Sequence, residues 1–116
     1  MWKASGKGLF MTHDYAAQRA ETFETFDEIG KIEDLPASAV VNFLFLPEEI
    51  DAPFAAAEKA LRKAGFQTRV DEEDETLEAR IGPIEISAAT IWVEEKRATE
   101  IALAFGFDPD GWELVE

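Results

Sequence analysis

Val40-Val41-Asn42-Phe43-Leu44-Phe45-Leu46 is the stretch from which the fold is read. It is β-branched and aromatic, apolar on both faces except at Asn42, and Pro47 ends it. That is the pattern of a strand covered on both sides. Downstream, Phe54, Ala57, Leu61 and Ala64 form an apolar stripe at helical spacing. Asp51 is the expected N-cap of this helix, Pro53 falls in its first turn, and Gly65 is its stop. Phe66-Gln67-Thr68-Arg69-Val70 and Leu77-Glu78-Ala79-Arg80-Ile81 then alternate as half-buried strands do. Asp71-Glu72-Glu73-Asp74-Glu75-Thr76 is the loop of the hairpin between them. Gly82-Pro83 interrupts the second strand, which Ile84-Glu85-Ile86 extends past a bulge or turn.

A last helix is expected over about residues 90–105, with Ile91, Ala98, Ile101, Ala102 and Phe105 inward and Gly106 as its stop. Asp110-Gly111 reads as a tight turn, with Trp112-Glu113-Leu114-Val115 as a short closing strand. Upstream, a helix starting at His13 or Asp14 runs to Ile29 and is stopped by Gly30. It places Tyr15, Arg19, Phe23, Phe26 and Ile29 near one face. Asp34-Leu35-Pro36 follows as a linker.

The sum is β-α-β-β-α-β behind an extra N-terminal helix, an α+β ferredoxin-like sandwich. It divides into a flexible leader over residues 1–12, a helix and linker over 13–38, and the ferredoxin-like domain over 39–116. Right-handed crossovers put both domain helices on one sheet face. The other face is then expected to be covered by the N-terminal helix, through Phe23 and Phe26, or by a second copy of the chain.

Composition sets the bounds. The 116 residues carry nine Phe and three Trp, enough for a packed core. With no Cys, disulfides, thiolate metal sites and cysteine nucleophiles are excluded. The leader has basic residues without an apolar run after them, and no apolar run approaches membrane-spanning length, so a cytoplasmic location without membrane contact is expected. The net charge of −14 is concentrated beyond Leu46. Such a surface repels phosphate backbones and argues against direct nucleic-acid binding, whereas a basic protein segment would be steered toward it.

No motif organises catalysis. His13 is the only histidine, and Ser5, Ser38 and Ser87 lie in no nucleophile-elbow context. Asp71, Glu72, Glu73, Asp74 and Glu75 lack the alternating ligands and Gly of a calcium loop, and read either as a solvated hairpin tip or as an acidic dock. Glu94 and Glu95 read as a polar face near the start of the last helix, not as an acid–base pair. Gly6-Lys7-Gly8 is not a phosphate loop, and Phe43 and Phe45 sit in too acidic a surround to stack RNA bases. No metal or cofactor is expected.

The helix end Lys63-Ala64-Gly65-Phe66, coupled to a last helix running into Asp110-Gly111-Trp112-Glu113, resembles the ribonuclease E activity regulator B (RraB) family. The likeness covers about residues 40–113, with Gly65, Asp110, Gly111 and Trp112 as its signature. It implies a ferredoxin-like fold and a non-catalytic protein that binds ribonuclease E and inhibits or redirects RNA decay. The expectation is therefore an acidic regulator whose contact surface is the hairpin tip Asp71, Glu72, Glu73, Asp74 and Glu75 with the exposed Glu94 and Glu95. Its partner would be a protein with a basic segment, such as a ribonuclease. The rival expectation is a dimeric ferredoxin-like domain that senses a small molecule, paired through the sheet face.

Overall fold

The computed structural model describes residues 13–115; the expected flexible leader, residues 1–12, lies outside them. The order is α1 (Tyr15–Ile32), β1 (Ser38–Pro47), α2 (Phe54–Lys63), β2 (Gln67–Asp71), β3 (Thr76–Glu85), α3 (Ala88–Ala104) and β4 (Phe107–Val115). The strands form one antiparallel sheet in the order β2-β3-β1-β4. This is an α+β ferredoxin-like fold with an additional N-terminal helix.

The core follows from strand alternation. Val41, Phe43 and Phe45 point to the helix side and are buried with Ala57, Leu61, Ile91, Ala98, Ala102 and Phe107. Phe54 meets Phe107 edge-on with centroids 4.8 Å apart, and Phe43 meets Phe66 at 6.4 Å. The expected stripes of α2 and α3 are the ones that pack here. After α2, Gly65 N–H donates to Arg62 O and Phe66 N–H to Leu61 O, a Schellman ending with both Leu61 and Phe66 buried in the core.

Element ends differ from the sequence reading for local reasons. Asp51 does not cap α2; Pro53 is the N-cap and accepts the first helical bond from Ala57 N–H. Asp14 does cap α1, accepting from Ala17 N–H at 2.9 Å. Gly30 does not stop α1, which continues to Ile32 and ends where Glu33 turns extended. In α3 the start is Ser87, whose hydroxyl accepts from Thr90 N–H while the Thr90 hydroxyl accepts from Ser87 N–H. That reciprocal cap carries no familiar sequence signal, because Thr, not Glu or Gln, stands at its third position.

Two bulges flank β1. On β3, Gly82 and Pro83 together oppose Val40, which realises the expected interruption as a bulge within a continuous strand. On β4, Asp110 and Gly111 together oppose Leu44. The Asp-Gly pair is therefore not a tight turn before a short strand: it is a bulge inside one strand, Phe107–Val115, with Gly111 at φ 98°.

The largest correction concerns α1. It does not cover the open face of the sheet; it packs against α3, on the helix side. Phe26 joins the core from there, and Phe23 lies under the Arg19 guanidinium, 4.1 Å from the ring centre. The open face stays uncovered by any described element. It is less apolar than β1 alone suggests, because Asn42, Glu78, Arg80, Arg69 and Glu113 share it with Val40, Leu44 and Leu46.

Candidate functional site

Two places bring chemistry together, and the expected contact surface takes residues from each. The first is the open sheet face. Strand order gathers Leu44 and Leu46 of β1, Asp71 of β2, Asp74 of the turn, Thr76 and Glu78 of β3, and Asp110 and Glu113 of β4 around a groove of about 480 Å³. On the same face of β1, Asn42 is fully buried. Its side-chain amide donates to Glu78 Oε1 at 3.1 Å and to Glu113 Oε2 at 3.0 Å, tying both carboxylates to the sheet. Glu78 is further balanced by Arg80 at 3.4 Å and Arg69 at 3.8 Å. Asp71, Asp74, Asp110 and Glu113 have no ion-pair partner among the described residues.

The hairpin tip is built, not merely acidic. Asp71 accepts from Glu73 N–H at 3.1 Å and Asp74 N–H at 3.2 Å, an Asx-type closure that leaves the Glu72, Glu73, Asp74 and Glu75 side chains exposed. Glu75 takes a left-handed φ of 54° to complete the turn. The structure thus keeps the acidic tip together and joins it, through Asp71 and Asp74, to carboxylates of β3 and β4.

Glu94 and Glu95 are not part of that surface. Glu94 holds Arg97 at 2.7 and 2.9 Å, and Arg97 in turn donates to Ala64 O at the end of α2 and lies over the Phe66 ring. Glu95 is only 3 % exposed. Adjacent residues on a helix diverge by about 100°, so one carboxylate faces α2 while the other enters the seam with α1. The expected exposed pair at the helix start does not exist.

That seam is the second place. Glu95 accepts from the Thr22 hydroxyl and from Gln18 Nε2 at 3.1 Å; Gln18 also reaches Thr99, and His13 Nε2 donates to Gln18 Oε1 at 2.6 Å. His13 is therefore tied into a network, not simply solvated. Beside the seam lies a groove of about 400 Å³, lined by α1, Glu95 and the bulge residues Pro109, Asp110, Gly111 and Trp112. Burial raises the Glu95 carboxyl above its ordinary range. The Thr22 and Gln18 hydrogen bonds oppose the rise, Glu21 adds to it and His13 opposes it.

The sign of the resulting pH dependence is fixed. A carboxyl held above its unfolded value contributes stability that is complete below the unfolded pKa and lost as pH rises through the folded one. Relative to Glu95→Gln, the wild type is expected to lose stability as pH rises from about 4.5, its unfolded value, through the raised folded pKa. Chemical denaturation of both proteins across that range checks this. Parallel stability curves would contradict it, and the common effect of the other carboxylates cancels in the difference.

The residues that carry the resemblance to the RraB family have structural places. Gly65 ends α2, Asp110 and Gly111 form the β4 bulge, and Trp112, opposite Phe43, packs against the core while edging the seam groove. Among the described residues no group of three or more His, Asp or Glu is arranged to hold a metal ion, and no helix is long and apolar enough to cross a membrane. Comparison with protein-family models and with curated proteins finds no match to this chain.

Proposed function

We propose that this chain is a non-catalytic, acidic regulatory domain that works by binding a basic segment of a protein partner. The observation that carries the reading is the convergence of Asp71, Asp74, Asp110 and Glu113, without counter-charges, on one uncovered sheet face. A net charge of −14 steers cationic segments toward the molecule and phosphate backbones away from it. The resemblance of residues 40–113 to the RraB family supplies the partner's class: a ribonuclease of the ribonuclease E type, met in the cytoplasm. In this reading the domain touches the enzyme and not its RNA.

Binding of the purified domain to a ribonuclease E preparation should weaken about tenfold or more between ~50 and ~200 mM salt, as screened charge pairs do. Calorimetric or optical titration at several salt concentrations measures this. No binding at low salt, or binding indifferent to salt, would sink the proposal.

A second reading has its own observation. The groove beside Glu95 has the size of a small-molecule site and combines a buried carboxylate with Trp112. It favours a ligand-sensing domain whose ligand lies between α1, α3 and β4. Pairing of two copies through the open sheet face is the less favoured arrangement, because it would set the same carboxylates against each other.

A further inference from the structure

The open face has a direction as well as a charge. Its groove runs from the β2–β3 hairpin, across β3 and β1, to the bulge of β4. That crossing covers three inter-strand gaps, about 14 Å at the usual spacing. The floor is apolar: Leu44 is half-buried and Leu46 is 39 % exposed. The walls are acidic at both ends, with Asp71 and Asp74 on the hairpin side and Asp110 and Glu113 on the β4 side. On the same face, in the sheet beside the groove, Asn42 Oδ1 and Arg80 Nε are buried without a hydrogen-bond partner.

From this placement we infer that the uncovered sheet face is the docking surface for an extended, basic polypeptide segment laid across the strands. This rests on the proposed function and adds to it the surface and the shape of the partner. About four extended residues span the distance between the two acidic walls. Side chains alternate along such a segment, so basic residues about four apart on one face reach the two walls, while the stem of the residue midway between them covers Leu44 and Leu46. Arginine suits both demands, since its planar head pairs with carboxylates and its stem is apolar. A second copy of this chain would bring acid to acid, and nucleic acid would bring phosphate to acid.

The test uses a fluorescently labelled peptide of about nine residues alternating Arg and Thr, a length that overhangs the groove on both sides. It is titrated at low salt into the full chain and into two variants with the same change in charge. Asp74→Lys with Asp110→Lys alters both walls; neither side chain makes a hydrogen bond or ion pair among the described residues. Glu24→Lys with Glu28→Lys alters the exposed side of α1. The wall variant is expected to bind at least about tenfold more weakly than wild type, and the α1 variant less than about threefold more weakly.

Equal weakening in both variants would overturn the assignment of the surface while leaving a basic partner in place. No binding of the peptide by wild type would overturn the proposed function, and this inference with it. A measurement on the wild type guards against misfolding of the wall variant. Amide resonances of Leu46, Thr76 and Glu113 should shift on peptide addition, and shifts confined to α1 and α3 would count against the sheet face.

Discussion

Phe43→Ala should lower folding stability by about 3–5 kcal/mol, the usual range for truncation of a buried aromatic. Phe43 is fully buried in the central strand, between Ala79 of β3 and Trp112 of β4, with Phe66 edge-on against it. Its neighbours cannot close the gap, because hydrogen-bonded strands hold it on both sides, so the void persists and the lost contacts are not replaced. Denaturant unfolding should show a lower midpoint with an unchanged slope. A loss under about 1 kcal/mol would mean that the helices settle into the space, and that the sheet–helix core is looser than described.

Gly82→Ala should cost about 2–4 kcal/mol through a different mechanism, backbone strain combined with overpacking. Gly82 has φ 130°, and a β-carbon there would come 2.8 Å from Ala39 O, 3.0 Å from Val40 Cα and 3.0 Å from Ile84 N. These are all backbone atoms of the bulge and its partner strand, so relief requires the β1–β3 pairing to open. Gly65→Ala is the control: its φ is 103°, but nothing lies within 4 Å of the added carbon, so only the conformational cost of about 1 kcal/mol is expected. Equal losses for the two substitutions would show that the close approach at Gly82 contributes nothing.

The sheet was readable in the sequence because each strand carries its own signal. Residues 40–46 are apolar on both faces, the two hairpin strands alternate, and the helices between them bear apolar stripes that the structure places inward. The seam between α1 and α3 gave no such signal, since it is built from Gln18, Thr22, Glu95 and Thr99. Polar residues with these identities look like a solvated face unless the opposing helix is known. That is why Glu95 reads with Glu94 as one polar face, and why Phe23 and Phe26 of α1 read as one of two candidate covers for the open sheet face. Asp110-Gly111 misled for another reason: the positive φ that Gly supplies serves a turn and a bulge equally.

The acidic groove was half legible. The run of carboxylates in the hairpin stands out in the chain, and the structure keeps it exposed. Asp110 and Glu113 join Asp71 and Asp74 only because β1 lies between β3 and β4, a consequence of crossover topology that no local pattern carries. The unpaired state of these four carboxylates depends in turn on where Arg69 and Arg80 are engaged, which is on Glu78.

The most direct test of the central claim is the rate at which a ribonuclease E catalytic preparation cleaves an RNA substrate at low salt, with increasing amounts of the purified domain. The expected result is saturable slowing that fades as salt is raised and is largely lost in the Asp74→Lys, Asp110→Lys double variant. Cleavage that proceeds unchanged at every concentration of a folded domain, or slows equally with the double variant, would contradict it.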